Sequence, residues 1–195
     1  MRMGCILLAA GISRRYGGNK LLSDILGKPL IDYILEHLPT KYFDECVAVA
    51  SKEEVLNRIK QHNIHTVFND HPELGISRSI RLGIAALKNV NACIFCVADQ
   101  PMLSQETILE MMDDYQPGTI RALSHGSDRG NPVIFPASLL CELASLKENE
   151  SGKTVIDRHE DKLVLHETLD HTQLIDIDTP ESMQRVIKLM KRASL

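Results

Sequence analysis

Tryptophan is absent from the 195 residues, and aromatic side chains of all kinds make up only 4%. A core poor in rings must be filled by Leu, Ile, Val and Ala, which suits buried parallel strands between helices better than an aromatic-rich β-sandwich. A basic excess is missing too: the formal charge is -4, which argues against general nucleic-acid binding while leaving room for local anion sites. No apolar stretch approaches the roughly 20 residues that a membrane span requires. Met1–Gly4 runs directly into a strand-like segment with no small-residue cleavage site, so a cytoplasmic location is expected. A disulfide framework is also lacking, because the five cysteines are odd in number and several sit in apolar runs. Cys93 and Cys96 form a C-x-x-C inside the strand-like run ACIFCVA. Residues three apart on a strand point to opposite faces, so these two thiols are expected to be structural.

What is present is an ordinary globular balance, 44% hydrophobic and 25% charged, in a chain of one-domain length with no linker or low-complexity tract. Residues 1–195 are therefore read as a single domain. Short apolar runs at Cys5–Ala9, Cys46–Ala50, Ala92–Ala98 and Leu174–Ile177 predict strands, with weaker candidates at His65–Phe68 and Pro132–Phe135. Helical spacing appears in Leu30, Ile31, Ile34, Leu35 and Leu38 after Pro29, and again after Ser77. Thr107–Tyr115 follows Ser104 as a cap, and Pro180–Lys191 follows Thr179. Strands apolar on both faces and alternating with helices imply an α/β fold with a mostly parallel sheet covered on both sides.

In such sheets ligands gather at the carboxyl ends of the strands. The first strand runs into LAAGISRRYGGNK, Leu8–Lys20. Small residues at Leu8-Ala9-Ala10-Gly11 and Ser13 permit close backbone approach, while Arg15 and Lys20 can set positive charge against a triphosphate. The residues alone fit a plain glycine-rich turn equally well. Ser13 stands where a dinucleotide fingerprint needs its second glycine, and Gly17 is followed by Gly18, so neither a G-x-G-x-x-G loop nor a P-loop is present. Asp99, at the end of the third strong strand in Val97-Ala98-Asp99-Gln100-Pro101, suits Mg²⁺, although an Asp there can also cap a turn. Asp176 and Asp178 follow another short apolar run; on a strand they would share a face, and either could join Asp99. Ser77, Ser79 and Arg81 could offer hydroxyls and a guanidinium to a ligand, and Arg129-Gly130-Asn131-Pro132-Val133 joins a turn to a strand. The tetrapeptide GISR occurs at both Gly11–Arg14 and Gly75–Arg78, with unrelated flanks. Hydrolase signatures fail on spacing, since there is neither G-x-S-x-G nor H-E-x-x-H.

The glycine loop, Asp99-Gln100-Pro101, Gly130-Asn131-Pro132-Val133 and Asp176–Pro180 occur in an order that resembles the MobA-like nucleotidyltransferases, over nearly the whole chain. The resemblance is closest to the molybdenum cofactor cytidylyltransferase branch, and the L-A-A-G form of the loop leans the same way. It implies a three-layer, Rossmann-like nucleotidyltransferase fold and transfer of CMP from CTP to molybdopterin with release of pyrophosphate. Carried over residue by residue, Arg15 and Lys20 become triphosphate contacts and Asp99 the Mg²⁺ ligand. Asp178 becomes the second carboxylate, and Ser77–Arg81 lie near the nucleotide. A molybdoenzyme is then a possible partner for the product. Two departures stand out. Tyr16 replaces a Met common after the motif arginine, and Asn149–Thr154 reads NESGKT where relatives carry G-D-x-G-A-R. The second keeps alternatives open: another triphosphate, a sugar or alcohol phosphate acceptor, or a non-catalytic carrier of molybdenum cofactor.

Overall fold

A computed structural model describes residues 1–148 and 150–193 of the chain; Asn149, at the start of the departing segment, lies outside them. Strand β1 (Met3–Ala9) pairs in parallel with β4 (Glu45–Ala50) on one side and β6 (Ala92–Val97) on the other. Beyond β4 lies β5 (His65–Phe68), also parallel. On the other flank β8 (Asp128–Pro136) runs antiparallel to β6 and to β7 (Ile120–His125), and β9 (Leu163–Glu167) pairs in parallel with β7. The seven-stranded order is β5-β4-β1-β6-β8-β7-β9, with one reversed strand. A small hairpin of β2 (Asp24–Ile25) and β3 (Lys28–Pro29) stands apart from it.

Alternation along the buried strands builds a core on each face. Cys5, Leu7 and Ile94 turn toward α1 (Leu30–His37), α2 (Glu53–Lys60), α4 (Gln105–Asp113) and α7 (Pro180–Ala193). Ile6, Cys93 and Phe95 turn toward α3 (Ile76–Ala86), α5 (Ala137–Ala144) and α6 (Gly152–Arg158). Helices on both faces make the expected three layers. Cys93 and Cys96 belong to opposite cores. Burial pushes the Cys5 and Cys93 thiols well above their ordinary pKa, so both are unreactive packing groups. Among the described residues no helix is long and apolar enough to cross a membrane.

Two local features aim the helices at the site. Gly83 lets α3 lie close on β1, since a Cβ there would stand 2.7 Å from Ile6 Cγ2. Ser104 Oγ accepts from the Thr107 amide at 3.1 Å and starts α4. The Leu174–Ile177 strand expected from sequence does not form: His171–Leu174 is a turn of 3₁₀ helix and Ile175–Thr179 is irregular. The cause is local, because Asp170 accepts from the Thr172 amide at 2.9 Å and from its hydroxyl at 2.6 Å, starting a turn in place of a ladder. The segment still reaches the sheet through one bond, Ile177 N–H to the Asp99 carbonyl at 3.0 Å.

Candidate active site

The carboxyl ends of β1 and β6 open side by side, and the glycine loop passes over them. Within the loop Ser13 and Gly17 adopt positive φ, 56° and 79°. The Tyr16 and Gly17 amides both close onto the Ser13 carbonyl at 3.1 Å. No hydrogen bond among the described residues uses the backbone amides of 11–15. A curled run of free amides at a strand end is suited to receive anionic oxygens. Ser13, the residue that broke the dinucleotide pattern, thus supplies the backbone bend that a glycine was expected to provide.

Beneath the loop, Lys20 is buried in a short 3₁₀ turn and brings its ammonium 2.7 Å from Asp99 Oδ2 and 3.4 Å from Asp178 Oδ1. Arg15, largely exposed, donates to Asp178 Oδ2 at 2.8 Å. Asp178 is held from behind, its amide donating to Ser182 Oγ at 2.9 Å, while the Ser182 amide donates to Thr179 Oγ1 at 3.1 Å. The cap predicted for the last helix therefore also fixes a site carboxylate. Asp99 and Asp178 converge on one ammonium, so their oxygens lie close enough to share a single cation. Among the described residues no cluster of three or more metal-ligating side chains exists. Two hard carboxylates without a third suit Mg²⁺ or a similar ion that completes its shell with phosphate oxygens and water.

The cleft holding this cluster is about 460 Å³ and joins the loop to the start of α3. Leu8, Ala10, Gly11, Ser13, Arg15, Lys20, Ser79, Asp99 and Asp178 line it, while Ala9 lines a smaller recess under the loop. Two other expected residues are not brought there. Ser77 is buried with its hydroxyl toward the Leu74 carbonyl, and Arg81 donates to the Leu146 carbonyl at 2.7 Å, tying α3 to the end of α5. Arg14, Gly75 and Ile76, from the two segments that carry the GISR tetrapeptide, also line the cleft, as expected of those segments. Pro72 and Glu73 line it too, and nothing in the sequence singled them out.

Asp176 and Asp178 do not share a face, because the strand that would have aligned them is absent. Asp176 lines a neighbouring cleft with Gln100, His125 and Arg185. Part of its surface meets solvent, yet the cleft walls crowd it; burial first, then the Asp99 and Asp178 carboxylates, push its pKa up to about 6. A carboxyl with a raised native pKa binds its proton more readily folded than unfolded, so it contributes stability as pH falls through about 6 and loses it as pH rises. In metal-free buffer, Asp176→Asn is expected to flatten the thermal-midpoint profile between about pH 4 and 6, the span from the unfolded to the native pKa. An unchanged slope would show that Asp176 titrates as an ordinary aspartate.

The late departure from the family pattern is structural where it is described. Glu150 accepts from the Lys147 amide at 2.7 Å and from Arg158 at 3.2 Å, and Ser151 and Thr154 form a capping box at the start of α6.

Residues 5–163 match the model of the MobA-like NTP transferase domain. The chain belongs to that family. It is 30% identical over 193 residues to a nicotine blue oxidoreductase of Paenarthrobacter nicotinovorans, covering 93% of this chain and 95% of that one. It is 40% identical over 108 residues to a probable molybdenum cofactor guanylyltransferase of Thermococcus kodakarensis, covering 52% of this chain and 48% of the relative, so it aligns with about half of that protein. A Mycobacterium tuberculosis protein solved in complex with manganese shares the fold at TM-score 0.78 and 17% identity, over 96% of this chain and 99% of that one.

Proposed function

We propose that this protein transfers CMP from CTP to the phosphate of a molybdopterin-type acceptor, with Mg²⁺ on Asp99 and Asp178. The observation that carries nucleotidyl transfer is the convergence of Lys20, Asp99 and Asp178 beneath a loop whose amides 11–15 make no hydrogen bond among the described residues. An acceptor phosphate oxygen forms a bond to the α-phosphorus as the α–β bridging P–O bond breaks, its electron pair leaving with pyrophosphate. The acceptor is already anionic, so no protein nucleophile is required; the chain's task is alignment and charge neutralisation. Arg15 and Lys20 hold the β- and γ-phosphates, and the loop amides orient the chain of phosphates. Asp99 and Asp178 would hold Mg²⁺, which would supply positive charge against the triphosphate. The reading places the reaction in the cytoplasm, with a molybdoenzyme as the consumer of the product.

CTP is favoured by the L-A-A-G form of the loop, whereas the Thermococcus relative's name favours GTP. A thermal-shift panel of CTP, GTP, ATP and UTP with Mg²⁺ separates them, since a ligand that binds only the native state raises the midpoint. CTP is expected to give the largest rise, and pyrophosphate release with CTP and molybdopterin would exclude a purely non-catalytic carrier. A rise with GTP alone would reassign the nucleotide. No rise with any triphosphate would overturn nucleotidyl transfer. The relative named as a nicotine blue oxidoreductase gives a second assay, redox turnover of nicotine blue, which this reading expects to be negative.

A further inference from the structure

The nucleotide cleft has a second end, away from the Lys20–Asp99–Asp178 cluster. Asp99 leaves the sheet from β6 and the Asp70–Gly75 segment leaves it from β5, strands three positions apart, about 14 Å. Phosphates held at the cluster therefore carry the base of a nucleotide toward Pro72, Glu73 and Ile76. Pro72 and the exposed Ile76 offer apolar surface to the ring faces of a base. Two charged side chains stand with them. Arg14 lines the cleft and makes no hydrogen bond or ion pair among the described residues. Its neighbour Arg15 is committed to Asp178, at the other end.

Glu73 is half exposed, yet a relay that starts in the interior fixes it. Asn69 is fully buried; its Nδ2 donates to Ser79 Oγ at 3.0 Å, and its Oδ1 accepts from the His71 amide at 3.1 Å and from Arg78 Nε at 3.0 Å. The His71 ring in turn donates from Nδ1 to Glu73 Oε1 at 2.9 Å, the carboxylate being able only to accept. Gly75, at φ 83°, turns the chain between Glu73 and Ile76, and both line one cleft. The Glu73 amide, and then His71, hold the carboxyl below its ordinary pKa, so it is ionised at neutral pH. A carboxylate that receives one imidazole keeps acceptor capacity for a ligand.

We infer that Glu73, with Arg14, selects the base: the cleft takes a triphosphate whose base carries an exocyclic amine and rejects one that presents a carbonyl in its place. This rests on the nucleotidyl-transfer reading and narrows the triphosphate which that site takes. An ionised carboxylate pairs with the amine of cytosine, guanine or adenine. The O4 carbonyl of uracil would face Glu73 acceptor to acceptor, leaving both without a donor. Arg14, which only donates, meets the ring nitrogens and carbonyls that aminated bases carry beside the amine. Water reaches Glu73 and relieves part of the mismatch. Discrimination is therefore about tenfold, not the roughly 10⁴–10⁵ of an enclosed hydrogen-bonding site.

The test is titration calorimetry of the intact protein, in Mg²⁺, with triphosphates paired to differ at the amine: CTP against UTP, and GTP against ITP, which lacks the 2-amine. In the pair that binds more tightly, the aminated member should be favoured about tenfold, a difference of about 1.4 kcal/mol. Glu73→Ala should abolish that preference by weakening the aminated member about tenfold. Glu73→Gln, whose amide donates as well as accepts, should raise UTP affinity above its value in the natural protein. Inorganic tripolyphosphate, which has no base, should bind both variants as before, and Arg14→Ala should weaken the nucleotides while sparing tripolyphosphate. Equal affinities within the deciding pair, or a preference that survives Glu73→Ala, would overturn the assignment. Loss of tripolyphosphate affinity in Arg14→Ala would move Arg14 to the phosphates and out of base selection. A protein that binds none of the triphosphates would overturn the nucleotidyl-transfer reading instead, so the two failures are distinguishable.

Discussion

Asp99→Asn is expected to release pyrophosphate from the cognate triphosphate about 10²–10³-fold more slowly than the natural protein, by the scale of other single charge-stabilising groups. The substitution keeps shape and removes one negative charge from the end of β6. The backbone tie at this position survives, because Ile177 donates to the Asp99 carbonyl and not to the side chain. Lys20 keeps Asp178 at 3.4 Å. Fold and triphosphate binding through the loop amides should therefore be largely retained, with the loss concentrated in kcat and in the response to Mg²⁺. Raising Mg²⁺ should recover only part of the rate, since the missing oxygen cannot be replaced in place. Full activity in this variant would remove Asp99 from the chemistry, and unfolding at ordinary temperature would mean that its role is structural. A midpoint measured beside the kinetics separates those two cases.

Legibility in the sequence followed burial. β1, β4 and β6 are apolar on both faces and lie at or near the centre of the sheet, and their runs stood out against the turns around them. β7 and β9 were missed. β9 is a half-exposed edge whose residues alternate weakly, and β7 carries Arg121 and Ser124, both buried by tertiary contacts invisible along the chain. α6 begins at a glycine and was read only as a motif departure, though Ser151 and Thr154 spell its capping box. The Leu174–Ile177 error had a readable cause, because Asp170 and Thr172 offered a competing turn. For the site, residue identity and order pointed to Arg15, Lys20, Asp99 and Asp178, which the fold brings together over separations of up to 163 positions. Arg81 illustrates the opposite limit: a cation one turn from the cleft is spent on a helix-end carbonyl, and spacing alone could not reveal that. The two cavities, and the division of Asp176 from Asp178 between clefts, depend on packing across the sheet and had no signature in one dimension.

Lys20→Met should produce effects of opposite sign on metal and nucleotide. The ammonium is nearly buried, and it stands between two carboxylates that would otherwise face each other with, among the described residues, one other ion-pair partner, Arg15 at the exposed rim, to offset them. Removing one partner of a buried charged set leaves the others poorly compensated. The cost here is on the order of 1–3 kcal/mol, below the ~3–5 kcal/mol of a fully buried pair, because both carboxylates reach solvent. Without metal the Lys20→Met protein should melt earlier. A divalent cation replaces the lost positive charge between Asp99 and Asp178, so the midpoint rise on adding Mg²⁺ should be larger in the variant than in the natural protein. The triphosphate response should move the other way, since the phosphates lose a point charge while the metal supplies only part of the compensation. Pyrophosphate release should then fall about 10²–10³-fold. A structural lysine would lower the midpoint and leave both ligand responses in proportion; a triphosphate contact alone would leave the Mg²⁺ response unchanged. The crossed pattern, stronger for metal and weaker for nucleotide, is specific to a lysine that holds the metal carboxylates and also faces the phosphates, and equal responses in the two proteins would refute that dual role.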